Sequence, residues 1–139
     1  GQVAADRDGS PHRVRVLLDA NALMMPFQFQ VDLFTELASL IGAYEPCILS
    51  EVRDELRGLS RGRGSGGSAA RAALRLAEQC REVESGYEEG SVDERINRFA
   101  RDHGCMVVTS DRTLRNALLS AGVPVITLKQ QKRLELLRR

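Results

Sequence analysis

The sequence predicts an α/β domain with a parallel sheet, and three observations support this fold class. Short apolar segments alternate along the chain with longer amphipathic ones. The apolar segments are nearly continuous in hydrophobicity, which is typical of parallel strands that are buried on both faces. The chain has 139 residues, of which 42% are hydrophobic, and this length suits one domain with a core of its own.

Four of the apolar segments are predicted to be strands. Each is rich in aliphatic and β-branched residues and is followed directly by a polar residue. These strands comprise residues 14–18, 46–49, 105–109 and 123–128.

Helices are predicted between these strands from apolar side chains at helical spacing and from capping residues. A capping box of Ser91 and Glu94 is the clearest of these signals. The predicted helices cover residues 31–41 and 69–81, and three more begin after Ser50, Ser91 and Ser110.

Several segments are predicted to lie outside regular structure. Pro26 is expected to keep residues 24–27 from forming a regular helix, and the glycine-rich residues 61–68 are expected to form a mobile loop. The acidic connection 82–89 is compatible with a short strand but does not require one. The sequence therefore predicts a flexible arm at 1–12, a domain at 13–130 and a basic tail at 131–139.

Composition argues against several classes of protein. The formal net charge is +1 with 28% charged residues, unlike an acidic disordered chain or a histone-like protein. No run of 18 apolar residues exists, so we expect no membrane span. Residues 1–13 are polar and lack the apolar segment of a secretory signal, so we expect no such signal. The three cysteines are far apart and include no C-x-x-C pair. We therefore expect no disulfide framework and a reduced, cytoplasmic location.

Four acidic residues are predicted to meet at one edge of the sheet. Asp19 and Asp111 closely follow two of the strands, and parallel strands end at a common edge. Glu55 and Asp93 lie on helices that begin at that edge, each roughly 60° around its helix from an apolar core position. Ionised carboxylates beside a core are costly unless something compensates their charge. Oxygen ligands favour Mg²⁺ or Mn²⁺, and such ions can activate water for phosphodiester cleavage.

Each acid also has a purely structural explanation. Asp19 and Asp111 are at positions that cap a helix or suit its dipole, and Glu55 and Asp93 could form ion pairs with nearby arginines. Glu51 lies one turn before Glu55 and is the alternative to it, although it is placed farther from the apolar stripe, roughly 100° from a core position. The convergence of four acids at one edge is what favours a metal site.

Four segments of the chain resemble, in order, the sequence motifs of PIN-domain ribonucleases. The first, residues 16–21, is similar to their hydrophobic-Asp-x-Asn opening. The other three are residues 46–56, 93–100 and 107–114, and the ending at residues 123–128 is also similar to members of this family. The resemblance covers residues 14–130 and implies a three-layer α/β/α fold with a central parallel sheet of four to five strands.

The resemblance also implies a set of site residues and a cofactor. Asn21 and Thr109 would be supporting residues of the site. Mg²⁺ or Mn²⁺ would be held by a catalytic quartet of Asp19, Glu55, Asp93 and Asp111.

Single-stranded RNA is the substrate that the resemblance implies, with ribosomal or transfer RNA as specific forms. The family includes VapC-type toxins, which pair with an antitoxin, and endonucleases that process ribosomal RNA. An antitoxin or a ribosome-assembly protein is therefore an expected partner, and a homodimer is expected because such nucleases usually dimerise. In a nearly neutral chain, RNA affinity is expected to come from local arginines. The candidates are Arg57, Arg61, Arg63, Arg112 and Arg115.

The leading functional prediction is a metal-dependent endoribonuclease that hydrolyses RNA with metal-activated water, in RNA maturation or as a toxin. The alternative is a non-catalytic PIN-fold module that binds RNA or protein, because a fold does not by itself guarantee activity. A metal-dependent cleavage assay distinguishes the two.

Overall fold

A six-stranded sheet with six helices forms the structure of residues 13–139, the part of the chain that the computed structural model describes. The arm predicted at residues 1–12 lies outside the described residues. The strands are Val14–Leu18 (β1), Tyr44–Leu49 (β2), Arg81–Val83 (β3), Met106–Val108 (β4), Val125–Lys129 (β5) and Arg133–Leu137 (β6). The helices are Ala20–Phe29 (α1), Leu33–Ile41 (α2), Ser50–Ser60 (α3), Gly64–Ala77 (α4), Val92–His103 (α5) and Arg112–Ser120 (α6).

The strand order reverses between β1 and β4. The order is β3-β2-β1-β4-β5-β6, with the first five strands parallel and β6 antiparallel to β5. The chain proceeds outward from β1 in one direction and then returns to place β4 on its other side. Leu18 of β1 is paired with Val108 of β4, so these two strands end together. Ligands of open α/β sheets bind beside such a reversal, at the carboxyl ends of the strands.

The core lies on both faces of the sheet, which explains the nearly continuous hydrophobicity of its strands. Val16, Leu17 and Leu18 are fully buried along β1. Helices α1, α3 and α4 contact one another, and α5 contacts α6. This arrangement confirms the predicted three-layer α/β/α class, with six strands where four or five are predicted.

Pro26 does not interrupt α1, so the predicted loop at residues 24–27 is wrong. The helix begins at Ala20 directly after β1, and the Asp19 side chain caps it. Met24 and Met25, which precede the proline, are both buried. Tertiary packing of this apolar segment therefore outweighs the hydrogen bond that a proline removes from a helix.

The glycine-rich residues 61–68 are not the predicted mobile loop, because α4 begins at Gly64. Gly67 is buried, and a Cβ there would lie 2.0 Å from the carbonyl oxygen of Gly62. The guanidinium of Arg71 donates hydrogen bonds to the carbonyl oxygens of Ser60, at 2.7 Å, and of Gly62, at 3.3 Å. The glycines thus permit a close helix–helix turn. At its other end α4 stops at Ala77, short of the predicted residue 81.

Two strands lie where the sequence gives weak signals. β3 is three residues long and falls in the acidic connection for which a strand is optional. β6 occupies most of the predicted basic tail and packs Leu134 into the core. Gln130 and Gln131 both have left-handed backbone angles in the turn before β6. Because neither is Gly or Asn, the usual hairpin signal is absent from the sequence.

Two further sequence predictions concern cysteines and membranes. The three cysteines, at positions 47, 80 and 105, are all free. Within the described residues, no helix is both long enough and apolar enough to cross a bilayer.

Candidate active site

The carboxylate of Asp19 is buried at the carboxyl end of β1. Only 5% of the residue is exposed. Its Oδ1 accepts a hydrogen bond from the Ala22 amide at 2.7 Å, and its Oδ2 accepts one from the hydroxyl of Thr109. Burial raises the pKa of Asp19 to about 7, and the charges of Asp93 and Glu55 act in the same direction, against the two hydrogen bonds. Asp19 caps α1, but capping alone does not require a buried carboxylate with an unfavourable charge.

Thr109 connects the two acids that follow strands. It is fully buried just after β4 and donates to Asp19 while its Oγ1 accepts a hydrogen bond from the Asp111 amide at 3.0 Å. The Asp111 carboxylate in turn caps α6 by accepting from the Leu114 amide at 2.9 Å. The threonine therefore fixes one carboxylate directly and the backbone of the other.

Glu55, on α3, and Asp93, in the first turn of α5, are both exposed, and we call them the rim carboxylates. Partial desolvation raises the pKa of Glu55, and the charge of Asp93 raises it further. Partial desolvation also raises the pKa of Asp93, with an added contribution from Asp111. In these effects the charge of Asp93 interacts with each of the other three carboxylates. None of the ion pairs within residues 13–139 involves any of them.

Glu51, the alternative to Glu55, faces different partners. Its carboxylate accepts hydrogen bonds from the Ser85 hydroxyl at 2.6 Å and from the Arg95 guanidinium at 3.2 Å. Burial raises the pKa of Glu51, but these hydrogen bonds and the arginine charge outweigh it, so that the pKa lies below its usual value. Sequence reasoning does not find this network, because Glu51 and Arg95 are 44 residues apart.

The four carboxylates belong to one region of the structure but do not converge on a single metal position. Among the described residues, no three His, Cys, Asp or Glu side chains are close enough as placed to hold one metal ion. Asp19 is fixed by its two hydrogen bonds, whereas Glu55 and Asp93 are exposed and can change rotamer.

The other predicted site residues lie on α1, α3 and α6 or in the turn that follows α3. Asn21 is exposed in the first turn of α1, two residues after Asp19. Arg112 and Arg115 lie in the first turns of α6, directly after Asp111. Arg57 forms an exposed ion pair of 3.1 Å with a neighbour on α3. Arg61 and Arg63 are exposed in the turn between α3 and α4, and Arg61 follows Glu55 by six residues, about 9 Å along a helix.

A family model described as a PIN like domain matches residues 16–131, which is most of the chain. The chain belongs to the PIN-domain family. This confirms the family that the four sequence motifs predict, and the matched region contains all four carboxylates of the candidate site of this PIN domain.

Two relatives of this PIN domain are archaeal ribonucleases. Ribonuclease VapC9 of Archaeoglobus fulgidus is 34% identical over 131 residues, which are 93% of either chain. Ribonuclease VapC4 of Methanocaldococcus jannaschii is 26% identical over 127 residues, covering 88% of this chain and 95% of the relative. These similarities support a ribonuclease function for this PIN domain.

Solved structures have a similar fold. The PIN-domain endonuclease Utp24 superposes with a TM-score of 0.76 at 26% identity, covering 90% of this chain and 92% of that one. VapBC2 from Rickettsia felis, solved with a DNA fragment from its promoter, superposes with a TM-score of 0.61 at 14% identity, covering 84% and 100% of the two chains. The latter likeness concerns the fold alone.

Proposed function

We propose that this PIN domain is an endoribonuclease that depends on Mg²⁺ or Mn²⁺ and hydrolyses phosphodiester bonds of RNA. The observation that carries the proposal is the buried Asp19 carboxylate, whose pKa is raised to about 7 by burial and by neighbouring acids. A buried acid with carboxylate neighbours and no cationic partner in the described residues is costly in the fold. Such a cost is typical of functional sites.

The donor set suits a hard divalent cation. All four side chains offer carboxylate oxygen, which Mg²⁺ and Mn²⁺ prefer to nitrogen or sulfur. Asp19, Glu55, Asp93 and Asp111 would hold the ion. A cation among them would relieve the repulsion that raises the pKa of Asp19, Glu55 and Asp93. Because no three of the carboxylates converge as placed, the exposed Glu55 and Asp93 would supply the necessary side-chain rotation.

Hydrogen bonds hold some side chains of the site in place, whereas others are exposed and can change rotamer. Mg²⁺ or Mn²⁺ held by these carboxylates would supply Lewis acidity, for activating water and for polarising a phosphodiester oxygen. The Thr109 hydroxyl, by donating to Oδ2 of Asp19, favours the ionised form of that carboxylate and fixes its orientation. Asn21, exposed at the start of α1, would offer its amide as a hydrogen-bond donor to a phosphate oxygen of the substrate.

RNA is the proposed substrate because the two archaeal relatives are named ribonucleases. Exposed arginines lie on α3 and its following turn, and Arg112 is exposed at the start of α6, directly after Asp111. Guanidinium groups bind phosphate oxygens through two parallel donors, so these residues would hold the strand that crosses the acidic edge. A homodimer and a partner that is an antitoxin or a ribosome-assembly protein remain predictions.

A cleavage assay tests the proposal. The protein is incubated with unstructured and with structured RNA in Mg²⁺, in Mn²⁺ and in EDTA, and Asp19→Asn is compared with the parent. Asp54→Asn is the matched control, because Asp54 is an exposed acid on α3 whose ion partner is Arg57. We expect internal cleavage only with metal, lost in Asp19→Asn and kept in Asp54→Asn. Binding of RNA without cleavage under any of these conditions would favour the non-catalytic module.

A further inference from the structure

Two of the four carboxylates lie on different helices that contact each other little. Glu55 belongs to α3 and Asp93 to α5, and these helices make few direct contacts with each other. Each is exposed and lacks the hydrogen bonds that fix Asp19. Val52 of α3 and Ile96 of α5 fix each helix in the core through its own side chains, so a direct bond between the helices would couple the positions of the two carboxylates.

A three-residue network bridges the two helices beside these carboxylates. The Glu51 carboxylate of α3 accepts hydrogen bonds from the Arg95 guanidinium of α5, at 3.2 Å, and from the Ser85 hydroxyl, at 2.6 Å. Ser85 lies in the connection between β3 and α5, and its Oγ also accepts from the Tyr87 amide at 3.2 Å. We call Glu51, Ser85 and Arg95 the Glu51 clasp. It joins α3, α5 and the segment that leads into α5.

The clasp is close to both rim carboxylates along the chain. Glu51 precedes Glu55 by four residues, about 6 Å along the helix axis, and Arg95 follows Asp93 by two. The side chains of Glu51 and Arg95 are only 16% and 23% exposed, so their ion pair is better shielded from water than most surface pairs. A displacement of either helix at the clasp would be transmitted to the carboxylate beside it.

We propose that Glu51, Ser85 and Arg95 are positioning residues that set the separation of the Glu55 and Asp93 carboxylates for the metal. This inference rests on the proposed function, since it assigns the clasp a role in the same site. Partners outside the ligand set that orient metal ligands typically change metal affinity by about 10- to 100-fold when they are removed. The clasp accounts for a site whose rim acids are adjustable but must still meet one ion.

The sign of two charge changes distinguishes positioning from simple electrostatics. If only net charge near the site mattered, Glu51→Gln would weaken Mn²⁺ binding and Arg95→Gln would strengthen it. If the clasp positions the rim carboxylates, both variants bind Mn²⁺ more weakly, by about tenfold. The double variant should then be no weaker than the poorer single one, because both substitutions break the same connection.

A second ion pair on α3 provides the control. Arg53 bonds Glu82 of β3 at 3.2 Å, and like Arg95 it has a buried Nε without a hydrogen-bond partner in residues 13–139. Arg53→Gln should lower the melting temperature about as much as Arg95→Gln and leave Mn²⁺ affinity unchanged. Arg95→Lys keeps the charge and should recover part of the affinity.

The experiment measures free Mn²⁺ by electron paramagnetic resonance during titration of the parent and each variant. It is paired with hydrogen exchange of the first turn of α5 in the metal-free proteins, where loss of the clasp should increase exchange. If Arg95→Gln does not fold, Ser85→Ala takes its place and should weaken binding as well. Unchanged or tighter Mn²⁺ binding by a folded Arg95→Gln or Ser85→Ala protein overturns the clasp alone. A parent protein that binds no Mn²⁺ overturns the proposed function and the clasp together.

Discussion

The hydroxyl of Thr109, just after β4, donates a hydrogen bond to the carboxylate of Asp19, just after the neighbouring strand β1. The two residues are 90 positions apart in the chain and both are buried. The same hydroxyl accepts from the Asp111 amide, so one side chain holds both acids that follow strands. This contact lowers a pKa that burial raises, and it thereby keeps Asp19 available to a cation near neutral pH.

Replacing Thr109 with Val should move the pH dependence of metal binding upward. Protons and metal compete for Asp19, so Mn²⁺ affinity should fall as the pH drops below its pKa of about 7. Removing the donor raises that pKa further, so the variant should lose affinity at a higher pH than the parent. The measurement is Mn²⁺ titration over a range of pH. Thr127→Val, which alters a buried threonine of β5, is the control. An unshifted profile in folded Thr109→Val would contradict the role of this hydroxyl.

Asp19→Asn should abolish cleavage and yet stabilise the metal-free protein. Loss of a fixed charge at the reacting centre reduces the rate by about a thousandfold or more. In EDTA the parent should become less stable as pH rises from about 4 to about 7, because the folded protein then holds a proton on Asp19 that the unfolded chain has released. The loss is complete above about pH 7 and absent below about pH 4.

Denaturant unfolding in EDTA at the two ends of this pH window measures the effect. An asparagine side chain carries no charge at either end, so Asp19→Asn should lack this part of the pH dependence and exceed the parent in stability near neutral pH. A parent whose stability does not fall across the window, after subtraction of the variant's own pH dependence, would contradict the raised pKa of Asp19.

Local sequence signals predict much of the fold, but they fail where tertiary packing determines the secondary structure. The Ser91–Glu94 capping box forms as predicted, because both of its hydrogen bonds are made within four residues. Pro26 lies inside α1 because buried neighbours outweigh a local preference. Gly67 belongs to a helix because only glycine fits against the Gly62 carbonyl, a contact that composition alone does not distinguish from a flexible loop.

The residues of the candidate site also differ in whether their positions could be predicted from the sequence. Asp19 and Asp111 could be placed at one edge because they follow parallel strands, whose ends meet by topology. The Glu51–Arg95 pair could not be predicted, since its partners are 44 residues apart and each is an ordinary charged residue of a helix surface. Its position depends on how α3 and α5 lie relative to each other, which helical periodicity does not determine.

Glu55→Gln and Glu51→Gln should differ strongly in activity. Glu55 faces the other carboxylates, so its loss should reduce cleavage by about a hundredfold or more. Glu51 is bonded to Ser85 and Arg95 instead, and its loss should cost about tenfold through metal affinity, with recovery at saturating Mn²⁺. Cleavage rates measured against Mn²⁺ concentration separate the two effects. Equal losses that saturating metal does not restore would contradict this assignment.

RNA binding should depend on salt through the exposed arginines. If Arg61 and Arg63 each contact one phosphate, replacing both with Gln should reduce the slope of log affinity against log salt by about 1.4 for a single strand. Arg75→Gln, at an exposed position in the last turn of α4, is the control and should leave the slope unchanged. The affinity is measured with a non-cleavable RNA analogue at several salt concentrations. An unchanged slope in the double variant would exclude these two arginines from the RNA path.

Metal should raise the melting temperature of the parent, and it should alter which of the parent and Asp93→Asn is the more stable. A ligand that binds only the folded state stabilises it by RT ln(1 + [L]/Kd), about 2.7 kcal/mol at a hundredfold excess over Kd. In EDTA, Asp93→Asn should melt no lower than the parent, because it removes a charge that raises the pKa of Glu55 and of Asp19. With Mg²⁺ or Mn²⁺ the parent gains more stability than the variant, which lacks one ligand, so the order of their melting temperatures reverses or the difference narrows.

Scanning fluorimetry with and without metal measures this difference in melting temperature. Glu78→Gln, at the end of α4, is the control and should follow the parent in both conditions. Melting curves that metal leaves unmoved in parent and variant alike would show that these acids hold no ion, and the non-catalytic module would then be the better account of the chain.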